Sequence, residues 1–176
     1  LAVDPSNTQR IYACGDNGVY RSTDGGVNFT LVGGGLPAVS ATKVVFRADD
    51  PSKLFASFWG GSPLYKSIDG GNTWSVVAGG LPASGQGRTD LDVCRANPNV
   101  MTIVMEAGNG DLWRSTDGGA VWTQVSTAPN HCPGQCWYNQ VVAIAPDDCN
   151  TIYLNGTSGY VTRNAGANFN QYPEDN

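Results

Sequence analysis

Four carboxylates, Asp90, Asp92, Glu106 and Asp111, fall in one short stretch of the chain. Acid–base hydrolysis of a glycosidic bond uses two carboxyl groups roughly 5–10 Å apart, so this stretch is where such a pair would be found. Asp90 and Glu106 are the catalytic candidates. Around them stand residues suited to binding rather than chemistry. Trp59, Trp137 and Tyr138 offer flat apolar faces on which a sugar ring or a partner side chain can stack, and Arg88, Asp90, Glu106 and Asn139 offer polar contacts. His131, Cys132 and Cys136 lie close together, but tetrahedral zinc needs a fourth ligand and a more usual cysteine spacing, so no metal site is expected. A disulfide that staples this long loop, Cys132 or Cys136 with Cys149, is the expectation instead. No cofactor is expected, and no Cys-x-x-Cys-His marks covalent haem.

Composition narrows the classes of function. The 176 residues carry a formal net charge of −5, and the ten Lys and Arg residues are scattered singly, so there is no basic stripe to track a phosphate backbone and nucleic acid is not an expected partner. No apolar run is long enough for a membrane-spanning helix. Leu1 opens directly into a strand-like phrase without an initiator Met, which reads as a processed or excised piece. Five cysteines in an acidic, glycine-rich chain fit an oxidising setting, extracellular, periplasmic or cell-surface, with the odd one left free or paired to another chain.

The elements that must position these residues are legible from an internal repeat. The phrase from Arg21 to Phe29 (Arg-Ser-Thr-Asp-Gly-Gly-Val-Asn-Phe) returns from Lys66 to Trp74 and from Arg114 to Trp122, with a worn copy from Val161 to Phe169. Its anchors, Ser22, Ser67, Ser115 and Thr162, are 45, 48 and 47 residues apart, the spacing of four-stranded propeller blades. Each period also holds two apolar phrases flanking a Pro-marked turn, one strand into the repeated phrase and one out of it. The expected fold is therefore all-β, a propeller or propeller segment of four four-stranded antiparallel blades, at about 1–43, 44–90, 91–140 and 141–176. With only 14% charged residues, 23 glycines and 10 prolines, no helix is expected.

The repeated phrase reads as the hairpin between the third and fourth strands. Asp24, Asp69 and Asp117 accept hydrogen bonds from their own turn, Asn164 stands in their place in the fourth copy, and Gly26, Gly71 and Gly119 supply positive φ. Phe29, Trp74, Trp122 and Phe169 are expected to fold back and fill the space between neighbouring blades. Because the same aspartate recurs in every blade, its role is read as structural; an active site needs one copy.

On these residues the chain resembles the Asp-box proteins, the repeat family of bacterial neuraminidases, over its whole length, with three intact boxes and one degraded. The family, as the resemblance implies, includes sialidases, xyloglucan-type endoglucanases, the sortilin ectodomain, photosystem-assembly propellers and many uncharacterised secreted bacterial repeat proteins, and its boxes lie on the rim away from any active site. Gly134-Gln-Cys-Trp-Tyr138 is most similar to the last group. A sialidase would want an arginine cluster, yet Arg21 and Arg114 sit beside boxes and only Arg88 is well placed.

Up-and-down strand order puts the boxes and the first-to-second-strand turns at one end of the blades, and the remaining loops at the other. Those loops run over 58–63, 82–90, 106–111 and 129–139, and they vary in length from blade to blade, which is where recognition is usually placed. Two functions follow. One is a non-catalytic extracellular module that recognises protein or glycan, as an accessory subunit of a larger assembly. The alternative is a glycoside hydrolase, endoglucanase- or sialidase-like, or a fragment of one. Four blades leave three assemblies: part of a larger ring, an arc completed by self-association or another chain, or a small closed ring.

Overall fold

The computed structural model describes residues 1–60, 64–83, 86–125 and 128–172. The chain forms four antiparallel sheets of four strands, each in plain up-and-down order. Sheet 1 comprises β1 (Ala2–Val3), β2 (Ile11–Gly15), β3 (Gly18–Ser22) and β4 (Thr30–Leu31). Sheet 2 comprises β5 (Ala41–Phe46), β6 (Leu54–Phe58), β7 (Tyr65–Ser67) and β8 (Ser75–Val76). Sheet 3 comprises β9 (Thr89–Val93), β10 (Met101–Met105), β11 (Asp111–Ser115) and β12 (Thr123–Val125). Sheet 4 comprises β13 (Val141–Ile144), β14 (Ile152–Asn155), β15 (Gly159–Thr162) and β16 (Asn170–Tyr172).

Local chemistry closes both hairpins at one end of every sheet. In the first-to-second-strand turns an Asp or Asn oxygen accepts the backbone N–H two residues on: Ser6 to Asp4, Ser52 to Asp50, Asn99 to Asn97 and Asn150 to Asp148. In the third-to-fourth-strand turns the Ser22 hydroxyl donates to Asp24 at 2.7 Å and accepts the Gly26 N–H at 2.9 Å, while Asp24 accepts the Asn28 N–H at 2.9 Å. The same bonds recur at Ser67–Asp69–Gly71, at Ser115–Asp117–Gly119 and, with an amide for the carboxylate, at Thr162–Asn164–Gly166. Where the first three turns place Gly25, Gly70 and Gly118 at positive φ, the fourth places Ala165 at φ 59°.

The core lies between sheets. One cluster, around Tyr12, Leu54 and Trp74, joins sheets 1 and 2; a second, around Phe55, Met101 and Trp122, joins sheets 2 and 3; a third, around Val104, Leu112 and Ile152 with Phe169 against it, joins sheets 3 and 4. Trp74, Trp122 and Phe169 each pack on the sheet before their own, and the backbone N–H groups of Trp74 and Trp122 donate to Gly34 and Gly79 of that sheet, both at 2.7 Å. The expectation that all four aromatics fill such a seam is therefore corrected at Phe29. It is 40% exposed against 7% for Trp74 and 3% for Trp122, because among the described residues no sheet stands before the first. No core cluster among the described residues joins sheet 4 to sheet 1.

Two further expectations are corrected. A one-turn helix, α1 (Cys136–Asn139), interrupts the last long loop, where Cys132 and Cys136 bond to each other and pin the turn before it. Cys149 pairs not with either of them but with Cys94, since both lie beside first-to-second-strand turns of adjacent sheets; Cys14 is the odd thiol.

Candidate functional site

Trp59 follows β6, and its N–H donates to the Ser40 carbonyl at 2.8 Å, holding the start of the connection from β6 to β7. Trp137 and Tyr138 project from α1, in the connection from sheet 3 to sheet 4. The two loops meet: the Trp59 and Trp137 rings stack with centroids 6.4 Å apart and planes inclined by 26°, and Tyr138 lies 5.5 Å from Trp137. Exposures of 42%, 48% and 68% make these three rings a continuous apolar shelf open to solvent. Monomer surfaces seldom spend aromatic area this way without a partner.

Beside the shelf the connection into β9 is fixed by reciprocal bonds. Glu106 donates its N–H to the Arg88 carbonyl at 2.8 Å, and its carboxylate accepts the Arg88 N–H at 2.9 Å. Fully buried Gln140, the residue after α1, donates its side-chain amide to the same Arg88 carbonyl. Arg88, Glu106, Gln140 and α1 are thus one bonded unit. Gln140 and buried His131 were missed by sequence reasoning as supports of the loop; burial of an amide or imidazole has no signature in an irregular segment. The His131 ring is packed against Gly110 and lies near the Pro129 carbonyl, and burial lowers its pKa. Asn139 is half-buried at the end of α1 and donates its amide towards Gln135. The parts of the expected loops at 61–63 and 84–85 lie outside the described residues.

The other carboxylates sit elsewhere. Asp90 is on β9, buried, with one oxygen 3.1 Å from the Lys43 ammonium and the other accepting the Val142 N–H at 3.1 Å. Asp92, two residues along, accepts the Ile144 N–H at 2.8 Å. Both therefore cap the free inner edge of β13, an edge strand whose N–H groups have no ladder partner on that side. Burial raises the pKa of Asp92, opposed by the Ile144 and Val93 N–H groups. Asp92 also lines a cleft of about 890 Å³ along the inner strands β1, β5 and β9, with Lys43, Asp49 and Arg95. Pro5, Ala48 and Pro98 place that cleft towards the turn end, away from the shelf. Asp111 starts β11, beside Gly108. The structure thus brings Trp59, Trp137, Tyr138, Arg88, Glu106 and Asn139 to one region, and gives Asp90 a place between strands.

Solved structures share this architecture. A GH74 enzyme of Niastella koreensis superposes with a TM-score of 0.73 at 21% identity over 97% of this chain and 28% of that one. An ancestral GH74 enzyme gives 0.77 at 19% identity over 99% and 24%. YCF48 bound to a D1 peptide gives 0.58 at 21% identity over 74% and 39%. The four sheets are β-propeller blades. The chain spans about a quarter of the length of these GH74 enzymes. Its sequence matches no protein-family model and no curated protein. No helix among the described residues is long and apolar enough to cross a membrane.

Proposed function

We propose that the chain is an Asp-box propeller module of extracellular or cell-surface type that recognises protein or glycan without turning it over. The observation that carries this reading is the exposed Trp59–Trp137–Tyr138 shelf, built by two loops from different blades and backed by the Arg88–Glu106–Gln140 unit. Rigid aromatic rings supply large contact area at small entropic cost, and the polar rim orients what lies on them. Two disulfides agree with an oxidising compartment.

A hydrolase is the second reading, and the raised carboxyl of Asp92 in the inner cleft is the observation that favours it. A general acid needs a partner carboxylate that is free to act, whereas Asp90 is bound by Lys43 and Val142, and Glu106 by the Arg88 N–H. The deciding experiment is a reducing-end assay of the purified chain on a panel of plant and bacterial polysaccharides. No release is expected. Release that disappears in Asp90→Asn, Asp92→Asn or Glu106→Gln would replace recognition by catalysis.

A further inference from the structure

Cross-strand partners share a face of their sheet, so each of the first three sheets carries a row of side chains turned towards the sheet that follows. The rows are Tyr12, Arg21 and Thr30 in sheet 1, Phe55, Lys66 and Ser75 in sheet 2, and Thr102, Arg114 and Thr123 in sheet 3. In the first two, an aromatic ring lies on the second glycine of the next turn. Tyr12 lies on Gly71, its hydroxyl donating to the Gly70 carbonyl at 2.6 Å, and Phe55 lies on Gly119. Arg21 meets an amide, donating to the Asn72 side chain at 2.9 Å. The third row departs from both habits. Thr102 stands where a ring is due, Val125 comes in from β12 to lie on Gly166 instead, and Ala167 stands where the second turn has Asn72.

These changes leave donors without acceptors. Thr102 is fully buried, and its hydroxyl has no partner. Beside it the Arg114 Nε–H is buried without a partner, and Nη2 reaches only the Cys149 carbonyl and the Asn150 side chain, at 3.4 and 3.3 Å. No ion pair to Arg114 forms among the described residues. Buried donors are seldom left in this state. Arg114 opens onto a cavity of about 410 Å³ between sheets 3 and 4, which Thr116, Asp117, Thr123 and Ala165 also line, a size that suits a small molecule. The cavity lies at the turn end, away from the aromatic shelf.

We infer that this cavity binds a small organic carboxylate. The planar edge of the Arg114 guanidinium takes its two oxygens, and the Thr102 and Thr123 hydroxyls in the same row complete the set. A monoanion is the species that fits, because Asp117 puts a negative charge in the wall. The Val121 N–H and the Ser115 hydroxyl hold that carboxyl below its ordinary range, so it stays ionised and repels a dianion more than a monoanion.

A chemical-shift titration of the ¹⁵N-labelled chain at constant ionic strength, with acetate and glycolate and separately with inorganic phosphate, tests this. Saturable shifts are expected with the carboxylates at Thr116, Thr123 and Ala165. Arg114→Gln is expected to weaken acetate binding at least about tenfold, and Thr102→Val to weaken it less, each variant keeping the circular dichroism of the parent. Arg21→Gln, at the same row position in the seam between sheets 1 and 2, is expected to leave binding unchanged. The inference is overturned if no carboxylate saturates the parent, if Arg114→Gln binds acetate as well as the parent does, or if Arg21→Gln weakens it equally. Phosphate bound more tightly than acetate overturns the choice of a carboxylate.

Discussion

The aspartates that first suggest chemistry are consumed by backbone. Asp24 and Asp69 are held at about 2, chiefly by the N–H and side-chain bonds of Asn28 and Thr73, well below the 3.8 of a free carboxyl. A pKa lowered by folding makes a contribution that is present above the unfolded value and lost as pH falls towards the folded one. Urea midpoints are therefore expected to hold above pH 4 and drop between pH 4 and 2, and in Asp69→Asn the drop should be smaller. The fourth turn offers a second test. Ala165 occupies a left-handed conformation that its three counterparts give to glycine, so Ala165→Gly should stabilise the chain by about 1 kcal/mol, read by thermal or urea unfolding. This much was legible in the sequence, because a turn of fixed spacing states its own hydrogen bonds. The commitment of Asp90 and Asp92 to β13 was not, since it depends on which strand edge arrives opposite them.

At the scale of elements, the repeat gave the strands, while the loops between them gave surprises. The pairing of Cys94 with Cys149 follows from topology: both lie at the turn end, whereas Cys132 and Cys136 lie in a loop at the opposite end, and a bridge from them to Cys149 would have to span the sheet. Strand order alone held that information. Helix α1 was hidden because four residues carry no period. The Cys94–Cys149 bond ties sheet 3 to sheet 4, and replacing both cysteines by alanine is expected to cost about 2–4 kcal/mol in urea unfolding. Replacing Cys132 and Cys136 instead should leave the sheets intact and loosen α1. Its expected signature is a change in Trp137 fluorescence without loss of strand signal in circular dichroism.

For the whole molecule, the alternation of seam and shelf separates what folds from what recognises. Trp74 and Trp122 vanish into seams, whereas Trp59 and Trp137 stay in solvent, although composition treats all four alike. What tells them apart is position in the repeat: the buried pair belong to the phrase that returns in each blade, and the exposed pair belong to loops that do not. The shelf is thus the surface to which recognition is assigned. Its most direct test is a binding titration, by calorimetry or tryptophan fluorescence, of the parent chain and of Trp59→Ala/Trp137→Ala against a panel of neutral oligosaccharides and peptides. A ligand is expected to saturate the parent, and the double variant, still folded by circular dichroism, is expected to lose at least about tenfold in affinity. A ligand bound equally well by both chains would contradict that assignment.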